Sequence, residues 1–130
     1  MSKKLKFYLS NDIKLANKLN LDGIYIPAFN NDISSYRAKF KNMKILGSAH
    51  NIKEVLIKKK QLVDIIFLSP VFKTSKSQHN LGIVKFNLLS KIANTKTVIL
   101  GGINKTNLNF FKSTKCNSFA SISYINKLLK

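Results

Sequence analysis

Six short apolar runs recur along this chain, and they constrain its fold more than any other feature. Most of them begin about 20 residues apart, which is too far for hairpins but leaves room for one crossover helix per interval. The run at residues 65–68 is continuously apolar, as expected for a parallel strand covered on both faces. The pattern predicts a mostly parallel α/β sheet with helices outside it. The predicted strands are residues 5–9, 23–26, 44–47, 64–68, 97–100 and 118–122.

The segments between these runs mostly predict amphipathic helices. Residues 12–19 can be capped by Asn11 or Asp12, and residues 52–62 by Asn51. Residues 82–93 predict a third helix, and a shorter segment follows Asn104. In the second helix three lysines stand opposite the apolar side chains and are expected on the solvent face; they are Lys58, Lys59 and Lys60. The apolar stripes consist of Ile13, Ala16 and Leu19; Ile52, Val55, Leu56 and Leu62; Val84, Leu88, Leu89 and Ile92; and Leu108 and Phe111.

The net charge of +18 arises from 23 basic and 5 acidic residues. Such a charge ordinarily indicates nucleic acid, because Lys and Arg neutralise phosphates and release counterions. Arg37 is the single arginine, however, and the guanidinium group is the one best suited to bidentate phosphate recognition. The lysines are spread along the whole chain. We interpret them as a solvated basic surface that can also attract small anions, and we expect no specific nucleic-acid partner.

Length and composition predict one domain over residues 1–130. No apolar stretch reaches the roughly 18 residues that a membrane span needs, so no membrane partner is expected. The N-terminus lacks the apolar segment of a secretion signal. The single Cys116 is consistent with a reducing compartment, and we expect a cytoplasmic protein.

Two architectures fit this pattern, an open doubly wound sheet and part of a (β/α)8 barrel. Both bind ligands at the carboxyl ends of the strands. Small or hydrogen-bonding residues are concentrated at those ends, whereas the strand starts carry only scattered Lys and Asp, so a ligand site is predicted there. The polar ends are residues 10–12, 27–30, 48–50, 69–77, 101–102 and 121–123.

Gly101 and Gly102 predict a phosphate site. Without a Cβ atom, glycine lets backbone N–H groups approach an oxyanion closely, and a helix N-terminus adds a favourable dipole. Asn104 would cap a helix directly after them. In barrels the loops after the last two strands are the usual phosphate site, so we expect a phosphorylated ligand.

Carboxylates are scarce at the predicted site. Asp12 is the one acid placed firmly at a carboxyl end, with Asp32 a looser second. Asp22 and Asp64 precede strands and belong to the opposite edge, and Glu54 lies inside a helix. One Mg²⁺ ion is compatible with this set, because Mg²⁺ takes one or two carboxylates together with phosphate oxygens.

His50 follows a strand directly and stands next to Ser48, which makes it the candidate proton shuttle at neutral pH. A structural or capping role for this histidine stays open. His79 and Cys116 lack the spacing of zinc ligands relative to His50. Cys116 is expected to be a small buried side chain.

Five segments, taken in order, resemble the thiamine-phosphate synthase/TenI family: NDIKLANKLNLDGIYI, ILGSAHN, DIIFLSPVFKTSKS, VILGGIN and FASISYI. The match runs in register over residues 7–125. It implies a (β/α)8 barrel of TIM-barrel type that is incomplete, with about six βα units, because the first strand looks like the family's third. The first two units would be missing, with their Gln-x-Arg-x-Lys pyrophosphate motif. The chain would then begin at an internal start codon, or be a degenerate barrel whose free edge is covered, for example by a second copy.

The resemblance also implies roles for individual residues. Asp12 matches an Asp that helps to hold Mg²⁺, whereas Asn30 stands where the family has its second metal carboxylate, unless Asp32 substitutes for it. Ser48 matches a substrate-contacting serine, and His50 matches the acid–base histidine of TenI-type thiazole tautomerases. The positions matched to substrate and phosphate binding are Asn11, Thr74, Lys76, Ser77, Gly101, Gly102 and Ser123.

Three functions follow as expectations. The first is thiamine-phosphate synthase, which joins hydroxymethylpyrimidine pyrophosphate to thiazole phosphate with Mg²⁺ assisting pyrophosphate departure. The second is a thiazole tautomerase that uses His50. The third is a non-catalytic binder of thiazole phosphate, or a fragment. The expected partners are small phosphorylated thiazole and pyrimidine ligands.

Overall fold

The computed structural model describes residues 4–33, 37, 40–74, 78–114, 116, 118–120 and 128–129. Strands and helices alternate along most of this length. The strands are β1 Tyr8–Ser10, β2 Gly23–Ile26, β3 Lys44–Ala49, β4 Ile65–Leu68, β5 Lys96–Leu100 and β6 Phe119–Ala120. The helices are α1 Ile13–Lys18, α2 Ile52–Lys60 and α3 Gly82–Ala93, and a 3₁₀ helix spans Leu108–Ser113.

The six strands form one sheet in the sequential order β1-β2-β3-β4-β5-β6, and every neighbouring pair is parallel. A doubly wound sheet reverses its strand order at a switch point, whereas a barrel adds strands in sequence. This order therefore selects the barrel-type architecture that the resemblance implied. The fold class is confirmed as a six-stranded parallel part of such a barrel.

The core lies between the helices and one face of the sheet. A Cβ atom on Gly47 would stand 2.8 Å from Cδ of Lys58 on α2, so this residue faces the helices. The side chains that share its face are almost fully buried, and they include Ile26, Ile45, Ile66, Leu68 and Ile99. Because side chains alternate along a strand, Ser48 and Phe67 project to the opposite face. On that face the Tyr25 and Phe67 rings meet edge to face, with centroids 5.9 Å apart.

The helix faces differ from the sequence prediction in three places. Leu19, which was predicted in the apolar stripe of the first helix, is the C-cap of α1 and is exposed. In α2 the predicted apolar stripe is wrong, because Ile52 and Leu56 are exposed, as is Leu62 just after the helix, while Lys58 is 0% exposed. In α3 the buried side chains include Phe86 and Leu89, whereas Val84 and Leu88 are exposed. The other buried side chains of these helices are Val55 in α2 and Ala93 in α3.

Helix α2 shows why local sequence still fixes element boundaries. Asn51 precedes it in an extended conformation, and its side-chain oxygen accepts the Glu54 N–H at 3.0 Å. This satisfies one of the N–H groups that have no partner inside the helix.

Along the described chain, no helix is both long and apolar enough to cross a membrane.

The amino ends of the strands are held by acids. Asp64 Oδ2 accepts the Ile45 N–H at 2.7 Å and an Arg37 N–H at 2.6 Å, and Asp22 Oδ2 accepts the Phe7 N–H at 2.9 Å. Burial raises the pKa of Tyr8, and the charges of Asp22 and Asp64 raise it further. A polar cleft of about 370 Å³ opens at this edge, lined by Lys6, Tyr8, Asp22, Arg37, Lys41, Asn42, Met43, Lys44 and Asp64.

Candidate active site at the carboxyl ends of the strands

The loops that follow the parallel strands meet at one edge of the sheet, and most of the predicted site residues lie there. The described members are Asn11, Asp12, Asn30, Ser48, His50, Thr74, Gly101 and Gly102. Lys76, Ser77 and Ser123 lie outside the described residues.

The loop after β1 is shaped by Asn11 and Asp12. Asn11 has a φ of 61°, a left-handed conformation that Asn tolerates better than most residues, and its N–H donates to the Tyr25 carbonyl at 2.8 Å. Asp12 caps α1, because its Oδ1 accepts the Leu15 N–H at 2.9 Å. One oxygen of the predicted metal ligand is thus already engaged in starting a helix.

Asn30 joins the loops after β1 and β2. Its side-chain Nδ2 donates to Asn11 Oδ1, and its Oδ1 accepts the Asp32 N–H at 2.9 Å. Two residues that were predicted separately, Asn11 and Asn30, are therefore in direct contact. Both ends of the Asn30 amide are occupied by these bonds.

The loop after β2 is also held by two buried side chains, Lys58 in α2 and Gln61 at the C-cap of that helix. Lys58 Nζ donates to the Asn30 carbonyl at 3.0 Å and to Gln61 Oε1 at 2.8 Å. Gln61 Nε2 donates to the carbonyls of Asn30 and Asp32, at 3.0 and 2.8 Å. Burial lowers the pKa of Lys58 to about 8, although the charge of Glu54 acts in the opposite direction. Sequence reasoning assigned Lys58 to the solvent face and missed this support.

His50 is paired with a carboxylate that the sequence analysis had set aside. Glu54 Oε2 accepts the backbone N–H of His50 at 2.6 Å and lies 2.9 Å from its ring Nδ1. Glu54 lies inside a helix, as predicted, but the sequence analysis did not count it among the site residues. It stands in the first turn of α2 and reaches back to the strand end. The signal available in the sequence was the Asn51 cap followed three residues later by Glu54, a pattern in which the glutamate side chain reaches back to the start of the helix.

Ser48 lies in β3, two residues before His50. It is buried and projects to the sheet face opposite the helices. On that face its register neighbour is Phe67 of β4.

The loops after β4 and β5 pack closely against each other. Gly101 and Gly102 have φ values of +93° and +73°. A Cβ atom on Gly101 would stand 3.6 Å from Thr74 Cγ2, and one on Gly102 would stand 2.6 Å from the Lys73 carbonyl oxygen. These approaches leave no room for a larger residue at position 102, and they bring Thr74 next to the glycine pair.

The turn after the glycines is built from two asparagines. Asn104 Oδ1 accepts the N–H groups of Thr106 and Asn107, at 2.9 and 3.1 Å. Asn107 Nδ2 donates to the Gly102 carbonyl at 2.7 Å. Asn104 was predicted to cap a helix, and it does organise the turn, but the 3₁₀ helix begins only at Leu108.

The side chains at the carboxyl ends of the strands can be compared with the oxygen ligands that Mg²⁺ requires. Within the described ranges, no three His, Cys, Asp or Glu side chains are grouped as metal ligands. Asp12 retains a second carboxylate oxygen, which fits an ion that takes one carboxylate and completes its shell with phosphate oxygens and water. Asn30 supplies no carboxylate. The fit is therefore to one ion held jointly with a phosphorylated substrate.

A sequential parallel sheet with polar loops at its carboxyl edge defines the class of (β/α)8-barrel proteins. The family described as thiamine monophosphate synthase (TMP-TENI) matches residues 1–125, and the chain belongs to this family. Cys116, which lies outside the site, is buried as expected.

Relatives and solved structures agree with that assignment. The chain is 30% identical over 124 residues to the thiamine-phosphate synthase of Staphylococcus epidermidis, covering 92% of this chain and 58% of that protein. It is 29% identical over 126 residues to that of Prochlorococcus marinus, covering 95% and 35%. The fold matches a thiamine phosphate pyrophosphorylase from Pyrococcus furiosus with a TM-score of 0.72 and 20% identity, covering 90% and 56%. The chain thus spans only part of the length of these proteins.

Proposed function

We propose that this chain acts in thiamine biosynthesis as a protein of the thiamine-phosphate synthase type. Its ligands would be thiazole phosphate and a pyrimidine pyrophosphate, which the enzyme would condense to thiamine phosphate, in the cytoplasm. The nearness of Thr74 to Gly101, where a Cβ atom would stand 3.6 Å from Thr74 Cγ2, is the observation that carries this proposal. It supports a phosphate cradle at the edge where barrel enzymes bind phosphate.

The residues of this edge would divide the work. Backbone N–H groups and the Thr74 hydroxyl would hold the thiazole phosphate, with Lys76, Ser77 and Ser123 added by family resemblance. Asn11 and Ser48 would contact substrate. Mg²⁺, when bound at Asp12, would supply positive charge to the departing pyrophosphate.

A thiazole tautomerase is the second candidate function. The His50–Glu54 contact favours it, because the reaction moves a proton on a thiazole phosphate and needs an acid–base group next to a phosphate cradle. Neither Mg²⁺ nor a pyrophosphate site is required.

The test offers the purified chain each substrate set in turn. Thiamine phosphate formation with and without Mg²⁺ measures the synthase, and isomerisation of thiazole phosphate measures the tautomerase. We expect His50→Asn to reduce isomerisation by about 100-fold or more while leaving thiazole phosphate binding in place. His79→Asn is the matched control, because His79 is exposed and is the only other histidine.

Calorimetric titration with thiazole phosphate separates the remaining outcomes. Binding without turnover in either assay would leave the non-catalytic binder as the function. Failure to bind thiazole phosphate would reject the proposed phosphate cradle.

A further inference from the structure

One carboxylate oxygen of Glu54 contacts His50 twice. Oε2 accepts the His50 backbone N–H at 2.6 Å and lies 2.9 Å from ring Nδ1. Two contacts from one oxygen restrain both the backbone and the side chain of the same residue. The ring is therefore held in one orientation even though half of the side chain is exposed to solvent.

The carboxylate is itself fixed by the fold. Glu54 is in the first turn of α2. The next residue, Val55, is fully buried in the core, and Lys58 one turn later is buried against Gly47 of β3. The position of Glu54 relative to the end of β3 is thus set by the packing of the whole helix.

This geometry determines where the imidazole carries its proton. An ionised carboxylate only accepts hydrogen bonds, whereas a neutral imidazole donates from one ring nitrogen and accepts at the other. A proton on Nδ1 satisfies the contact with Glu54, and a lone pair there would face a negative charge. In free histidine the Nε2–H form predominates, so the contact reverses the ordinary preference.

We propose that Glu54 is a positioning residue that holds His50 in the Nδ1–H form and leaves Nε2 as the basic nitrogen at the carboxyl edge. The nitrogen that would exchange a proton with a thiazole phosphate is then Nε2. This inference rests on the second candidate function, in which His50 is the acid–base group. It assigns a role to an acid that no family motif in this sequence pointed to.

Imidazole ¹⁵N NMR of the whole chain tests the proposal without reference to turnover. The spectrum is recorded at pH about 8.5, where an ordinary histidine is neutral, and His79→Asn assigns the two histidines. We expect Nδ1 of His50 to show the shift of a protonated nitrogen and Nε2 that of an unprotonated one. Glu54→Ala should move both shifts towards the Nε2–H form.

Asn51→Ala separates positioning from helix capping. It removes a bond at the same helix end without touching the imidazole, so it should lower stability while leaving the His50 ¹⁵N shifts unchanged. A wild-type ring in the Nε2–H form, or shifts that Glu54→Ala leaves unaltered, would overturn the proposal.

A second experiment measures kcat and KM for the isomerisation of thiazole phosphate. Glu54→Ala should lower kcat by about 10- to 100-fold with little change in KM, whereas Asn51→Ala should retain kcat. If neither wild type nor variant isomerises the substrate, the second candidate function fails, and the NMR result still decides the role of Glu54.

Discussion

The two ends of the sheet are built in different ways. At the amino ends, the carboxylates of Asp22 and Asp64 accept hydrogen bonds from backbone N–H groups at neighbouring strands, and Asp64 also accepts one from Arg37. At the carboxyl ends, the loops are joined mainly by amides and by backbone contact, through Asn30 and Gly102. At the amino end the carboxylates join neighbouring strands, whereas at the carboxyl end Asp12 and Glu54 each accept a backbone N–H close to them in sequence, and Glu54 also pairs with the His50 ring.

This contrast explains how a chain with only 5 acidic residues can carry a site. An amide satisfies backbone groups without adding charge, so the loops are organised before any ligand binds. The net positive charge of the protein then favours an anionic ligand at this edge.

The largest expected loss of stability comes from the close approach of two loop backbones at the carboxyl end. Gly102→Ala combines left-handed strain with a Cβ atom 2.6 Å from the Lys73 carbonyl oxygen, so we expect it to cost about 3 kcal/mol of unfolding free energy. Gly82→Ala is the matched control, because its φ of +70° is similar but nothing lies within 4 Å. Strain alone should cost about 1 to 2 kcal/mol there.

Urea denaturation of the two variants measures both costs. Equal losses of stability would mean that the loops after β4 and β5 are not locked together, and the contrast between the two ends would lose its main support.

The next prediction compares the stability contributed by an acid at each end of the sheet. Asp64→Ala should cost about 2 kcal/mol, because it leaves the Ile45 N–H without its acceptor and removes one of the acceptors of Arg37. Asp12→Ala at the other end should cost about 1 kcal/mol, the ordinary value of a helix cap. Thermal denaturation compares them, and a larger loss for Asp12→Ala would reverse the assignment of structural acids to the amino end.

Sequence reasoning was most successful where the determinants are local. The bounds of α3 agree with the prediction, and Asn51 caps α2 as expected. The first strand is Tyr8–Ser10, shorter than the predicted residues 5–9. Phe119–Ala120 lies within the predicted last strand, whose residues 121–122 lie outside the described part of the chain. The strand order, which selected the barrel, depends on contacts between distant segments that no periodicity contains.

Lys58 shows why the rest could not be predicted. A binary pattern counts lysine as polar and places it in solvent. Its burial depends on the space above Gly47 and on the Asn30 carbonyl, 28 residues away in sequence. Glu54 is different, because an asparagine cap followed three residues later by glutamate is a known helix-start pattern. That signal was present and was interpreted only as capping.

The last expected effect depends on pH and concerns Lys58, the one cation that is completely buried among the described residues. In the unfolded chain its pKa returns to the ordinary 10.5, whereas burial lowers it to about 8 in the fold. Between these values the unfolded state binds more protons, so the contribution of Lys58 to the unfolding free energy rises with pH and levels off above about 10.5.

Lys58→Met removes this pH dependence. The unfolding free energy of the variant minus that of the wild type should therefore fall by on the order of 1 to 2 kcal/mol between pH about 7 and about 10. Lys59→Met, at the neighbouring exposed position, is the control for removing a positive charge from the same helix. Urea denaturation across this pH range measures both differences. A flat curve for Lys58→Met would mean that water reaches the ammonium group, and that the carboxyl end is held by hydrogen bonds alone with no cost of burying a charge.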